Sequence, residues 1–136
     1  MTNWEFLEKL IDVKVKEVNS RFSSLNSKGL KVSSIYLVYP KSKNNLFPTK
    51  FYVGTTANKL TIRLNQHIRE SFGYKDNSTT IKTRWIRDVI LSGGELEVIE
   101  LVRVPHFTSK IRYQIETEFI NYFKRNGLNL TNTICM

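Results

Sequence analysis

The sequence predicts an α+β fold: a small, mostly antiparallel three-stranded sheet flanked by helices, with an extra N-terminal helix. Three observations carry this. Apolar residues recur at steps of three and four in four stretches, the period of a helix with one buried face. Three other stretches are short, rich in β-branched and aromatic residues, and bounded by Gly, Pro or Asn. The segments run helix, strand, strand, helix, helix, strand, helix, which suits a small sheet covered by helices.

The first helix spans Thr2 to about Leu25, with Thr2 as N-cap and Glu5 three residues on. Trp4, Leu7, Leu10, Ile11, Val15, Val18, Phe22 and Leu25 form its apolar stripe. The Ser/Asn-rich stretch Asn19 to Gly29 ends it. Residues 1–29 therefore form an accessory helix and linker, and residues 30–136 the main globular unit. The stripe either packs on the chain's own domain or serves as a dimer contact.

Leu30 to Tyr39 is the first strand and Phe51 to Thr55 the second. The polar loop between them carries Pro40 and Pro48, so an antiparallel hairpin is expected. Gly54 is read as the residue that ends the second strand and lets the chain turn. A helix follows from about Lys59 to Phe72, capped by Asn58 or Thr56. Leu60, Leu64 and Ile68 form its buried stripe, with Lys59, Arg63 and His67 as a parallel ridge. A loop over Gly73 to Thr79 leads to a helix from Thr80 to about Ser92, with Ile81, Trp85, Ile86, Val89 and Ile90 inward. Gly93-Gly94 stops it. Glu95 to Val104 alternates as a third strand. The last helix runs from about Lys110 to Arg125, with Ile111, Ile115, Phe119 and Phe123 inward, and Asn126-Gly127 ends it. Leu128 to Ile134 is either a short closing strand or an extended tail.

Composition narrows the function. A chain of 136 residues suits one domain with one core. It carries 21 Lys+Arg against 12 Asp+Glu, a net charge of +9. Such a balance favours polyanionic partners, nucleic acid first; a basic protein without such a partner is the plainer reading. No stretch approaches the ~18 apolar residues of a membrane helix, and residues 1–10 do not read as a secretory signal. The expectation is a cytoplasmic protein with no membrane partner. One Cys and two His make a structural zinc site of the usual kind improbable.

No acyl-transfer triad, phosphate-binding loop or dinucleotide motif is present. The remaining chemistry lies in polar groups on apolar elements. Phosphodiester hydrolysis needs an activated water, a cation near the phosphate, neutralisation of transition-state charge and help for the leaving oxygen. Glu116 offers an oxygen ligand for a hard cation such as Mg²⁺. Arg63 offers a fork of donors that fits a phosphate. Tyr36 and Tyr52 offer phenolic oxygens, whose charged form a nearby metal or Arg would favour. His67 can accept or shuttle a proton near neutral pH. Taken singly each has a plainer reading: the tyrosines as core residues, Arg63 and His67 as a solvated helix face, Glu116 as the partner of Arg112 four residues earlier. Tyr39 and Tyr113 are read as structural.

Together, these residues resemble the GIY-YIG nuclease family. Ser34-Ile35-Tyr36 is similar to its first signature and Tyr52-Val53-Gly54 to its second. Arg63 with His67 matches the Arg and the His or Tyr four residues later. Glu116 with Phe119-Ile120 matches the family's Glu on a later helix better than Glu118 does. Gly127-Leu128-Asn129 resembles its closing Gly-aromatic-Asn element. The resemblance covers about Val32 to Thr131. It implies a metal-dependent DNA endonuclease with a single Mg²⁺ or Mn²⁺. Glu116 would hold the cation, and Tyr36 and Tyr52 would position or deprotonate the water. Arg63 would stabilise the phosphate, with His67 assisting and Asn129 supporting the site. Lys59 and Arg69 are candidate phosphate contacts.

Three features depart from the family pattern. Ser34 replaces the first Gly. The loop from Lys41 to Thr49 is longer than usual, either a DNA-contacting finger or plain surface. Thr55-Thr56 stands where many members carry a Lys, with Lys59 one turn away. A phage or mobile-element nuclease, a restriction-type enzyme or a structure-selective repair nuclease would fit, acting on double-stranded or branched DNA. One site per monomer would nick, and double-strand cleavage would need a homodimer or two encounters. The alternatives are a catalytically inactive nucleic-acid-binding module of the same fold, and a scaffold that binds proteins through its first helix.

Overall fold

A computed structural model describes residues 2–22, 32–41, 46–72, 81–105 and 109–132; expectations for other positions, Leu25 and the Gly73–Thr79 loop among them, lie outside the described residues. The elements follow the expected order: α1 (Asn3–Phe22), β1 (Val32–Lys41), β2 (Tyr52–Thr56), α2 (Leu60–Ser71), α3 (Ile81–Leu91), β3 (Glu95–Pro105) and α4 (Ser109–Arg125). The strands form one antiparallel sheet in the order β2-β1-β3.

Period-two alternation along β1 divides the core into two layers. Ile35, Leu37 and Tyr39 face a cluster built with Leu7, Leu10 and Val18 of α1 and Ile115, Phe119 and Phe123 of α4. Tyr36 and Val38 face the other side, where Trp85 and Ile86 of α3 meet Leu60, Leu64 and Ile68 of α2. The sheet is thus sandwiched between α1/α4 and α2/α3. The stripe of α1 is buried in its own chain, each Leu or Val contributing on the order of 1.5–3 kcal/mol. Lys14 and Arg21 of α1 also reach Glu118 of α4, at 3.2 and 2.8 Å.

Local chemistry explains most boundaries. The Glu5 amide donates to Thr2 Oγ1 at 3.1 Å, and the Thr2 hydroxyl donates to Glu5 Oε1 at 3.2 Å, which fixes the start of α1. Gly93 takes φ +85°, with its amide on the Ile90 carbonyl and that of Gly94 on Val89, so α3 ends in a left-handed turn. Gly127 at φ +91° ends α4 likewise, the Leu128 amide donating to the Phe123 carbonyl. Among the described residues beyond it, up to Asn132, the chain makes one parallel bridge, Leu130 to Phe51.

Three local expectations are corrected. Neither Asn58 nor Thr56 caps α2: its N-cap is Lys59, with no side-chain cap bond, and Thr56 Oγ1 instead accepts the Asn58 amide. Ile81 is 54% exposed rather than inward; the buried face of α3 is made by Thr83, Trp85 and Ile86. The alternation of β3 is broken. Ile35 pairs with Val102 and Tyr36 with Glu100, leaving Leu101 as a bulge. The bulge resets the phase, so Leu101 and Val102 are both buried.

Candidate active site

Tyr36 stands at the centre of the α2/α3 layer, 1% exposed. Across the ladder it pairs with Gly54 of β2. A Cβ on Gly54 would collide with the Tyr36 hydroxyl and ring. Gly54 therefore does not end the strand or turn the chain, since β2 continues to Thr56. It is required because the Tyr36 ring lies over it.

Tyr52, two residues earlier on the same face of β2, brings its ring to 6.4 Å from that of Tyr36. His67 enters from α2. Its ring lies 6.0 Å from Tyr36 and 5.2 Å from Tyr52, edge-on to the latter. Its Nε2 is 2.6 Å from the Tyr36 oxygen. The ridge of Arg63 and His67 thus faces inward as much as the apolar stripe does, and His67 is 0% exposed. Arg63, one turn earlier, is half-buried, its Nη1 held by Gln66 Oε1 at 3.1 Å and Glu70 Oε1 at 3.3 Å.

Glu116 reaches the sheet from α4, on the other side. Its Oε2 accepts the Thr55 hydroxyl at 3.0 Å. Thr55 lies on the edge strand, one residue from Gly54, so the carboxylate sits at the rim beside the tyrosine wall. Its charge is felt at both Tyr36 and Tyr52. Among the described residues it makes no ion pair, and the pairing with Arg112 is absent. Glu118, two residues on, points to α1 and is consumed by Lys14 and Arg21.

Burial sets the protonation states. It pushes Tyr36 up, with Tyr52 adding to the rise and Arg63 opposing it. It pushes Tyr52 up to about 12, with Glu116 adding and Arg63 opposing. Arg63 acts in the expected direction but burial outweighs it, so both phenols are neutral at neutral pH. Burial, then the charges of Lys82 and Arg63, drive His67 down to about 3. Burial and these charges hold the imidazole neutral, which weighs against His67 as a proton acceptor near neutral pH. Burial also raises Glu116 above the usual carboxylate range, against the Thr55 hydrogen bond.

A scan against family models and searches of curated proteins and solved structures return no match to this chain. The geometry of the site extends beyond the residues named so far.

Two residues absent from the sequence reading belong to that geometry. Lys82, near the start of α3, places Nζ 3.2 Å from His67 Nδ1 and 5.2 Å from the Tyr52 ring centroid. Asn132 clamps the free edge of β2, accepting the Val53 amide at 2.9 Å and donating to the Val53 carbonyl at 2.8 Å. Asn129 is exposed, and its carbonyl accepts the Phe51 amide at 2.9 Å. Ser34, at the first signature, donates to Glu100 Oε1 at 2.8 Å. Lys59 and Arg69 are exposed at the two ends of α2.

Among the described residues no group of three or more His, Cys, Asp or Glu side chains could hold an ion. Glu116 is, among the described residues, a lone carboxylate without a cationic partner. That donor set fits Mg²⁺ or Mn²⁺, which take one or two carboxylates and complete their shell with water, better than a site demanding several protein ligands. No helix among the described residues is long and apolar enough to cross a membrane.

Proposed function

We propose that this chain is a metal-dependent endonuclease that hydrolyses phosphodiester bonds in DNA. The observation that carries the reading is the meeting of Tyr36, Tyr52, Arg63 and His67 on one sheet face, with Glu116 at the adjoining rim. These are the residues through which the sequence resembles the GIY-YIG nucleases.

Each group has a task it can perform as placed. Arg63, oriented by Gln66 and Glu70, presents a donor fork to a phosphate and neutralises charge that grows on it. Tyr36 and Tyr52 are neutral hydroxyls that can orient an attacking water. His67 is a fixed hydrogen-bonding partner for Tyr36. Glu116 would hold a single divalent cation, which would supply Lewis-acid neutralisation of the scissile phosphate. Lys59 and Arg69 flank the site as phosphate contacts, and the Asn129 carbonyl secures the start of β2.

The charge distribution supports a polyanionic substrate. The four acidic residues of α1 are matched by Lys9, Lys14, Lys16 and Arg21, and β3 carries Glu95, Glu97 and Glu100 against Arg103. Helices α2 and α3 carry Arg63, Arg69, Lys82, Arg84 and Arg87 against Glu70 and Asp88. Helices α2 and α3 thus supply part of the chain's net charge of +9, and this positive charge beside the site would attract phosphates and make binding fall with salt.

The test is cleavage of supercoiled and branched DNA with Mg²⁺, with EDTA, and by Arg63→Ala. Cleavage that needs the cation and is lost in the variant is expected. Salt-dependent binding without turnover under any divalent cation would leave only a nucleic-acid-binding module.

A further inference from the structure

We propose that Lys82 is a positioning residue that locks the tautomer of His67, so that His67 Nε2–H donates to the Tyr36 oxygen. Three contacts place the ammonium. Its Nζ is 3.2 Å from His67 Nδ1, 3.7 Å from Glu70 Oε2, and 5.2 Å from the centroid of the Tyr52 ring, over whose face it lies.

The assignment follows from donor counting. A neutral imidazole carries one N–H, and an ammonium has donors only. With Lys82 donating to Nδ1, that nitrogen must accept, and the proton sits on Nε2. The 2.6 Å contact is then Nε2–H donating to Tyr36 Oη. The competing arrangement has Nδ1–H donating to Glu70, the carboxylate–imidazole pairing common elsewhere. Here Glu70 Oε2 is 4.0 Å from Nδ1, beyond hydrogen-bond reach, and the same oxygen is nearer to Lys82. Glu70 therefore serves Lys82 rather than His67. Burial lowers the Lys82 pKa, but Glu70 opposes it and favours the ammonium.

The consequence lies at Tyr36. Its oxygen accepts from His67, so its own O–H is free to point elsewhere. An accepted hydrogen bond also favours negative charge on that oxygen. In the opposite tautomer the phenol would spend its proton on Nε2, inside a buried pair. Lys82 thus acts through His67 on the orientation of the phenol. Sequence spacing gives no hint of this, since Lys82 lies 15 residues from His67 across the Gly73–Thr79 segment.

The tautomer itself is measurable without any assumption about activity. The chain has two His, so ¹⁵N-histidine NMR of the full chain, with His106→Gln for assignment, isolates His67. The wild type is expected to show protonated Nε2 and unprotonated Nδ1 at neutral pH. Lys82→Met should move His67 toward the Nδ1–H form, whereas Lys82→Arg and Glu70→Gln should keep Nε2–H. A wild type with Nδ1–H overturns the proposal, as does an unchanged tautomer in Lys82→Met. If Lys82→Met does not fold, the wild-type and Lys82→Arg spectra decide alone. The activity arm rests on the endonuclease reading: Lys82→Met should lose about tenfold to a hundredfold in kcat with little change in KM, and Lys82→Arg should recover part of it. An Nε2–H tautomer that depends on Lys82, in a wild type that cleaves nothing, would uphold this proposal and overturn only that reading.

Discussion

Gly54 faces Tyr36 across the β1–β2 ladder, and the tyrosine ring fills the space that a side chain at position 54 would need. The hydroxyl held there is the one that His67 contacts at 2.6 Å. The missing side chain at one position therefore sets where the polar group of another can stand.

Gly54→Ala should accordingly destabilise the fold by roughly 1–3 kcal/mol, the usual cost of forcing a methyl into a packed site. Urea denaturation would measure it. In a Tyr36→Ala background the same substitution should cost far less, because the colliding ring is gone; equal costs in the two backgrounds would refute the packing argument.

The pH dependence of stability should carry the mark of His67. Its folded pKa of about 3 lies below the unfolded 6.5. The unfolded chain therefore binds a proton between these values and the folded chain does not. The stabilisation is present above about pH 6.5 and is lost as pH falls toward 3, a change on the order of 5 kcal/mol over the whole window. Carboxylates titrate in part of that window, so the comparison is with His67→Gln, whose stability should fall less steeply between pH 6.5 and 5.

Glu116 and Glu118 should respond oppositely to amidation. Glu118 suffers burial, but hydrogen bonds from Arg21 and Lys14 outweigh it and hold its pKa down. Glu118→Gln should loosen α1 and cost up to about 1 kcal/mol, as for a partly exposed ion pair, with cleavage nearly intact. Glu116 is raised, so its charged form is disfavoured in the fold and its contribution is lost as pH rises through the folded pKa. Glu116→Gln should then be neutral or slightly stabilising near pH 7 while cleavage collapses. Thermal melts and plasmid assays on the same preparations separate the two.

Asn132 secures β2 with two hydrogen bonds to Val53, the residue after Tyr52. Asn132→Ala should cost on the order of 1–3 kcal/mol, since it leaves edge-strand backbone groups without their partner. It should also speed hydrogen exchange at the Val53 amide more than at Leu37. Uniform exchange across the sheet would contradict a local clamp.

The helices and strands were legible because their apolar residues keep a fixed period and their ends carry the expected chemistry, as at Thr2, Gly93 and Gly127. The resemblance favoured Glu116 over Glu118 by its spacing to Phe119-Ile120; that Glu118 turns to Lys14 and Arg21 of α1 shows only in the fold. What escaped the sequence was set by contacts between distant segments. The bulge at Leu101 shows only once β3 is laid against β1. Lys82 is one lysine on a helix rich in basic residues, and its meeting with His67 depends on how α2 and α3 pack. The state of His67 follows from complete burial, which a ridge of Lys59, Arg63 and His67 gives no reason to expect. Asn132 lies past the last helix, where local pattern is silent.

If Glu116 holds the cation for phosphodiester cleavage beside the Tyr36–His67 pair, Mg²⁺-dependent nicking of supercoiled plasmid should separate wild type from Glu116→Gln at matched DNA occupancy. Wild-type nicking abolished by EDTA is expected, with a loss of about a hundredfold or more in Glu116→Gln and DNA affinity retained. Nicking by Glu116→Gln at the wild-type rate would contradict it.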